Sequence, residues 1–400
     1  MYVEPIQFKE GMPAALSICR IDESALHCHE DAIEIIFVLK GSARVKVSFE
    51  YHTLREGDYV VVNREDCHKI WSDPAGSDNL IATIQMDLES FRGRLPYIYY
   101  VLISCESFDL AKYKGQANML RQMMARIMLG MMQAGGSGEC SEQCRVMLQE
   151  LMTILVKEYA LENYYNRDRD IGDEKLDKYY TIMKYMYEKY DAKDLLGDIS
   201  VNEFYSKSYI THLFREVSAT SFQDMLSYIR IYKSERMLLE TNANITEISE
   251  RCGFSDTKYY TRDFRRWFLV NPSDYRKKYQ KEIGRASRMD RIDFCEAEDA
   301  VRRYFEIKEE SPEYKVSMTP LTLKNIGSKT DLLKYLRQDE ATDASEGSGR
   351  TAGEKRQADV FAVIRIDGRD DPEKSKKLLE EMADEYRERS GSVLDFWLIR

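Results

Sequence analysis

The sequence predicts a multidomain fold: an all-β barrel near the N-terminus, a helical region, an all-α segment carrying one helical unit twice, and a small C-terminal α/β module. Three observations predict it. Apolar residues alternate with period two up to about Ile84 and recur at helical spacing beyond Asp87. Ile199-Ser200, Tyr205-Ser206, Tyr209-Ile210 and Phe214 return as Ile248-Ser249, Phe254-Ser255, Tyr259-Tyr260 and Phe264, with residue 248 matching 199 and 255 matching 206 at an offset of 49. A polar stretch, QDEATDASEGSGRTAGEKRQA at 338–358, then interrupts the last hundred or so residues.

At 400 residues the chain exceeds one ordinary domain. No apolar run approaches the roughly 18 to 20 residues that cross a bilayer. The opening MYVEPIQFKEGM lacks the basic start and apolar core of a secretory signal. The eight cysteines are scattered, which reads as reduced thiols in a cytoplasmic protein with no membrane partner. Only Cys140 and Cys144 would share a helix face, and two thiols make a weak metal site.

Residues 1–86 form the β domain. The run IEIIFVL at 33–39, the alternating Ala43, Val45, Val47 and Phe49, and YVVV after Gly57-Asp58 are strands set apart by glycine turns, extending from about Ala25 to Ile84. Residues 87–174 form a helical dimerisation or linker region. One helix carries Leu110, Leu120, Met123, Met124, Ile127, Met128 and Met131; AGGSGE at 134–139 is the turn; the next carries Met147, Leu148, Leu151, Ile154, Leu155 and Tyr159. Such stripes suit either intrachain core or a homodimer seam. The polar NYYNRDRDIGDEK from Asn163 links this region to the next. In residues 284–400, KVSMTPLTL, DVFAVIRID at 359–367, a helix over 372–389 and VLDFWLIR at 393–400 make an accessory α/β module split by the disordered linker 338–358.

Residues 175–283 read as two helix-turn-helix units. In the second, Ile245, Ile248 and Cys252 share the inner face of a supporting helix, and Gly253 supplies the turn. Tyr260, Phe264 and Trp267 anchor the next helix, leaving Thr257, Lys258, Thr261 and Arg262 outward. In the first, Ser208, Thr211 and His212 take the outward positions, with Lys207 and Arg215 placed for phosphates. The chain's net charge of −10 hides a local patch: Thr257 to Lys281 holds eight basic residues, Arg266 among them, against two acidic ones. Arg262 is the leading candidate for gripping guanine O6 and N7.

These residues resemble the DNA-binding domain of AraC-type regulators, the AraC/XylS family, over roughly 175 to 281. The linking helix SFQDMLSYIRIYKSERMLLE, with Leu226, Arg230, Ile231 and Leu238, and the closing Pro272 with Tyr275-Arg276, follow the family order. The resemblance implies a sequence-specific transcription regulator, usually an activator, working as a homodimer on double-stranded DNA and RNA polymerase. The family places glycine after each recognition helix; here Ala219 and Leu269 stand there.

His27, His29, Glu34, Gly41, Gly57 and His68 resemble the two-part signature of cupin barrels, with Asn63 and Glu65 where the second half usually has Pro and Gly. Three imidazoles and a carboxylate suit Zn, Mn, Fe or Ni. The same four residues suit a pocket for a small-molecule effector, by resemblance a sugar or related metabolite, or serve as structural histidines. The expected protein is a regulator and not an enzyme; the alternative is a metal-dependent cupin enzyme with an appended DNA-binding domain. No cofactor other than that divalent metal is expected.

Overall fold

A computed structural model describes residues 3–9, 11–73, 75–105, 107, 116–137, 142–165, 171–218 and 220–305, together with three strands at 317–320, 361–365 and 395–398. Seven antiparallel strands build a near-closed barrel: β1 (Ala14–Glu23), β2 (Ala32–Lys40), β3 (Ser42–Val47), β4 (Glu50–Arg55), β5 (Tyr59–Val62), β6 (His68–Ser72) and β7 (Leu80–Asp87). Their order is β4-β3-β6-β1-β7-β2-β5. Strand β1 precedes the expected start at Ala25. Ile18, Cys19 and Ile21 are all buried in it, so the alternation that would have revealed it fails halfway.

The barrel has two apolar faces. Ile36, Val38, Val45, Val47, Leu54, Val60, Val62 and Ile70 fill the lumen as one cluster. On the outer face, Ile33, Ile35, Phe37 and Leu39 meet the helical hairpin Gln116–Ser137 and Glu142–Glu158. Leu120, Met124, Ile127, Met128, Leu148, Leu151 and Leu155 all join that second cluster, so the two methionine-rich stripes are intrachain core. The first helix runs to Ser137, through glycines expected to form the turn. Leu110 and Cys140 lie outside the described residues; Cys144 is buried, its thiol facing Ile127 O at 3.8 Å.

The chain also returns to the barrel after the repeated helical region. Strand β8 (Arg288–Arg291) pairs with β1, and the helix Phe294–Arg302 packs Ala297 and Val301 into the barrel–hairpin core. Tyr304 follows, edge-on to Phe37 at 4.9 Å between ring centroids. Residues 288–305, expected to open the accessory module, therefore complete the barrel–hairpin domain. The remainder is a small sheet in which Phe361–Arg365 pairs parallel with Asp395–Leu398 and antiparallel with Ser317–Pro320. The expected linker 338–358 and helix 372–389 lie outside the described residues.

The reading region contains the helices Asp173–Glu188, Leu195–Asn202, Lys207–Ser218, Phe222–Glu240, Ile245–Arg251, Thr257–Phe268 and Pro272–Tyr279. Ile199, Ile210, Phe214, Ile229, Leu238, Ile248, Tyr260 and Phe264 are all buried in one core. Each such side chain contributes roughly 1.5–3 kcal/mol by leaving water. The same cluster takes in Leu26, Cys28 and Cys67, so the reader is docked on the barrel rather than tethered to it.

Candidate functional site

The second helix-turn-helix unit is built with favourable local chemistry throughout. Asn244 and Glu247 form a reciprocal capping box that starts Ile245–Arg251, whose Ile248 and Cys252 face inward. Gly253 then turns the chain at φ +76, and a Cβ there would lie 2.7 Å from Asp191 O, so both the backbone conformation and the space require glycine. Asp256 caps the recognition helix Thr257–Phe268 by accepting from Lys258 N at 2.6 Å. Tyr260, Phe264, Trp267 and Phe268 are buried, whereas Lys258, Arg262 and Arg266 are exposed and Thr257 and Thr261 half-buried.

The first unit repeats this plan with poorer turn chemistry. Leu195 and Ile199 are buried, Ser206 caps by accepting from Tyr209 N at 3.1 Å, and Ile210, Leu213, Phe214 and Val217 face the core. Lys207, Ser208, His212 and Arg215 are exposed; Thr211 is half-buried, its hydroxyl bonded to Lys207 O at 2.9 Å. The turn residue matching Gly253 is Phe204, at φ +57 and 93% exposed. The repeat is not uniform. Supporting helices and turns correspond at an offset of 49, but the caps Ser206 and Asp256 and the core pairs Ile210/Tyr260 and Phe214/Phe264 correspond at 50. The second turn has one extra residue, so Asp256, not the sequence-matched Ser255, is its cap.

Several candidate DNA contacts are held by acids. Lys207 pairs with Asp194 at 3.3 Å, His212 with Glu216 at 3.6 Å, Arg266 with Asp224 at 2.8 Å and Arg262 with Asp263 at 2.7 Å. The Lys207 and His212 pairs, exposed on both sides, are worth little, whereas the Asp263 carboxylate that holds Arg262 is buried. Leu269 closes the second recognition helix in the left-handed region at φ +59, the conformation for which glycine was expected; Ala219 lies outside the described residues.

In the barrel, His27 and His68 face each other across an antiparallel bridge, exchanging backbone hydrogen bonds at 3.1 and 2.8 Å. Glu34 on β2 receives His29 Nε2 on one oxygen and His68 Nε2 on the other, each at 3.3 Å. The three imidazole centroids lie 4.1 to 5.3 Å apart, and one ligand atom from each of the four residues falls within 4.8 Å of the rest. Burial and the neighbouring imidazoles push His27 down to about 3, so it is neutral. Burial would raise Glu34, but hydrogen bonds from His29 and His68 hold it well below the usual carboxylate range. Burial would lower His29, but its hydrogen bond to Glu34, the charge of that carboxylate and contacts with Glu4 together raise it. Neutral His27 and the ionised Glu34 carboxylate are in the forms that ligate a cation. The donor set fits a divalent cation.

Sequence reasoning missed Gln85, which donates to Glu34 Oε2 at 2.7 Å, and the buried Glu50–His52 pair at 3.3 Å. Gln85 is exposed only by the register that sets it opposite Glu34. Asn63 is structural, bonding Ile103 N at 2.7 Å and Ile103 O at 3.1 Å. Glu65 takes the left-handed conformation at φ +63 where a glycine was expected, and its carboxylate pairs with Lys233 of the linking helix.

That pair belongs to a seam between barrel and reader. Lys46 and Glu235 are buried 3.5 Å apart; Tyr275 OH accepts from Lys46 Nζ at 2.9 Å and donates to Glu235, and Ser48 Oγ donates to Glu235 Oε2 at 2.9 Å. Burial raises Glu235 against the pull of Lys46. Phe49 packs against Phe268, Trp267 and Tyr228 at 5.4, 6.0 and 6.5 Å between centroids.

A family model described as a helix-turn-helix domain matches residues 202–278, and one described as a cupin domain matches residues 21–75. An uncharacterized HTH-type transcriptional regulator of Staphylococcus aureus is 23% identical over 248 residues, 62% of this chain and 31% of the relative. The uncharacterized HTH-type transcriptional regulator YijO of Escherichia coli is 31% identical over 103 residues, 26% of this chain and 36% of the relative. The C-terminal domain of the two-component response regulator yesN from Fusobacterium nucleatum is 28% identical, covering 25% of this chain and 98% of that one, with a TM-score of 0.24. The chain thus spans about a third of the length of these curated relatives.

Proposed function

Because the chain is an AraC-type helix-turn-helix protein with an N-terminal cupin domain, we propose that it is a sequence-specific DNA-binding transcription regulator answering a small-molecule effector. The observation that carries this reading is the pair of recognition helices, whose outward faces offer base-reading and phosphate-binding side chains. Lys207, Ser208, Thr211, His212 and Arg215 meet one stretch of major groove; Thr257, Lys258, Thr261, Arg262 and Arg266 meet the next. The protein acts in the cytoplasm as a homodimer, activating transcription through RNA polymerase. A genome-wide footprint of the full chain tests this: discrete sites with affinity falling steeply as salt rises are expected, and salt-insensitive or absent binding overturns it.

The effector site is the barrel cluster His27, His29, Glu34 and His68, and the effector is a sugar or related metabolite. Occupancy acts through the seam, and it shifts presentation of the reader only by as much as the effector favours one arrangement over the other. The same four residues would hold a divalent metal, which when bound would supply a Lewis-acidic anchor for hydroxyl or carboxylate oxygens. Metal analysis of the purified chain, with His68→Ala as control, separates the two. A stoichiometric metal lost in the variant supports the metal-anchored form, and an activity lost with it while DNA binding survives supports the cupin-enzyme reading instead.

A further inference from the structure

The two recognition helices differ at one inward-facing position. At the offset of 50 that holds along them, Leu213 of the first unit corresponds to Asp263 of the second. Leu213 is core, whereas Asp263, only 7% exposed, sets a carboxylate where packing favours hydrocarbon. A buried carboxylate is costly unless its oxygens are satisfied, and a native chain that retains one asks for a reason.

Both oxygens are in use. Oδ2 accepts from Ser227 Oγ of the linking helix at 2.6 Å, and Oδ1 accepts from Arg262 Nε at 2.7 Å. Ser227 anchors the carboxylate from behind and leaves Oδ1 facing the exposed side, where the Arg262 side chain is 66% exposed. The Arg262 guanidinium also lies 5.2 Å from the Tyr259 ring centroid. Neither Nη group makes a hydrogen bond or ion pair among the described residues, so the end of the fork is available for a base edge. A tethered guanidinium also loses less rotamer freedom on docking than a free one.

We propose that Asp263, braced by Ser227, is a positioning residue that aims Arg262 at a guanine and so fixes one base of the target sequence. This rests on the DNA-reading function above. The decisive variant is Asp263→Leu, which installs the residue type of the first unit and so preserves packing.

Selection of preferred sites by the full chain from random double-stranded DNA provides the test. Arg262→Ala and Asp263→Leu are expected to lose the same guanine, by roughly ten- to a hundredfold in preference. The double variant should lose no more than Arg262→Ala alone, Ser227→Ala should lose part of the preference, and the other positions should hold. Asp263→Leu should melt at or above the wild-type temperature, and its salt dependence should not weaken, since it removes an acid and no base. If Asp263→Leu keeps the guanine that Arg262→Ala erases, or weakens every position alike, the positioning role is overturned while DNA reading stands. A wild-type chain that enriches no sequence overturns both.

Discussion

The two helix-turn-helix units share a plan and differ in how firmly they are held. The second has a capping box, a turn glycine pressed against Asp191, and a direct seam with the barrel through Phe268, Trp267 and Tyr275. The first turns through a left-handed Phe204, and its buried residues Ile210, Leu213 and Phe214 face the reader's own core. Under the proposed function, a signal from the barrel would reach the second unit and the linking helix first and the first unit through the linking helix.

The largest expected effect tests the seam. Lys46→Ala leaves the buried Glu235 without its ammonium, which costs about 3 to 5 kcal/mol. Hydrogen exchange should accelerate in Phe222–Glu240 and Pro272–Tyr279 before it does in Lys207–Ser218. Glu235 is raised above its ordinary value of 4.5 in the folded chain, so its contribution is complete below 4.5 and declines as pH rises through the folded value. Removing Lys46 raises it further, so the deficit should widen from acid toward neutral pH. Equal acceleration in both recognition helices would erase the asymmetry.

Gly253→Ala comes next, at about 3 kcal/mol, from a left-handed alanine plus contact with the Asp191 backbone. Thermal melts should show the loss, and a variant within a few tenths of a kcal/mol of wild type would mean that the turn relaxes freely. On DNA, Arg262→Ala should cost about 1 to 3 kcal/mol of specific binding. His212→Ala should cost less than about 1 kcal/mol, because His212 is exposed and already shared with Glu216. Titrations against a selected site settle the order, and a larger effect at His212 would make the first unit the principal reader.

Much of this was legible in the sequence. Core residues such as Phe264 and Ile248 announce themselves by period, and the histidine cluster by its spacing before Glu34. What escaped depends on tertiary pairing. Gln85 acquires meaning only from its register with Glu34, and Lys46 on a strand reads as solvated until Glu235 arrives from a helix 189 residues later. Strand β8 is four exposed charged or long side chains held by backbone pairing with β1 and by the ion pairs of Arg288 with Asp22 and Glu23, which no hydrophobic pattern records. The shift from 49 to 50 within the repeat is a one-residue event in a turn, where the adjacent Ser255 and Asp256 look equally suitable as a cap.

The smallest effects concern the left-handed residues that replaced glycine. Phe204 and Leu269 hold φ of +57 and +59, and each should cost about 1 kcal/mol relative to glycine. Phe204 is 93% exposed, so Phe204→Gly removes strain while sacrificing almost no packing, and a gain of about 1 kcal/mol in the melt is expected. Leu269 is 36% exposed and gives up some contact, so Leu269→Gly should gain less. The first unit, relieved of its strained turn, would approach the second in stability and narrow the exchange difference between them. If Phe204→Gly stabilises the fold yet weakens DNA binding, the exposed ring is being kept for contact, and the strain in the first unit is tied to its function.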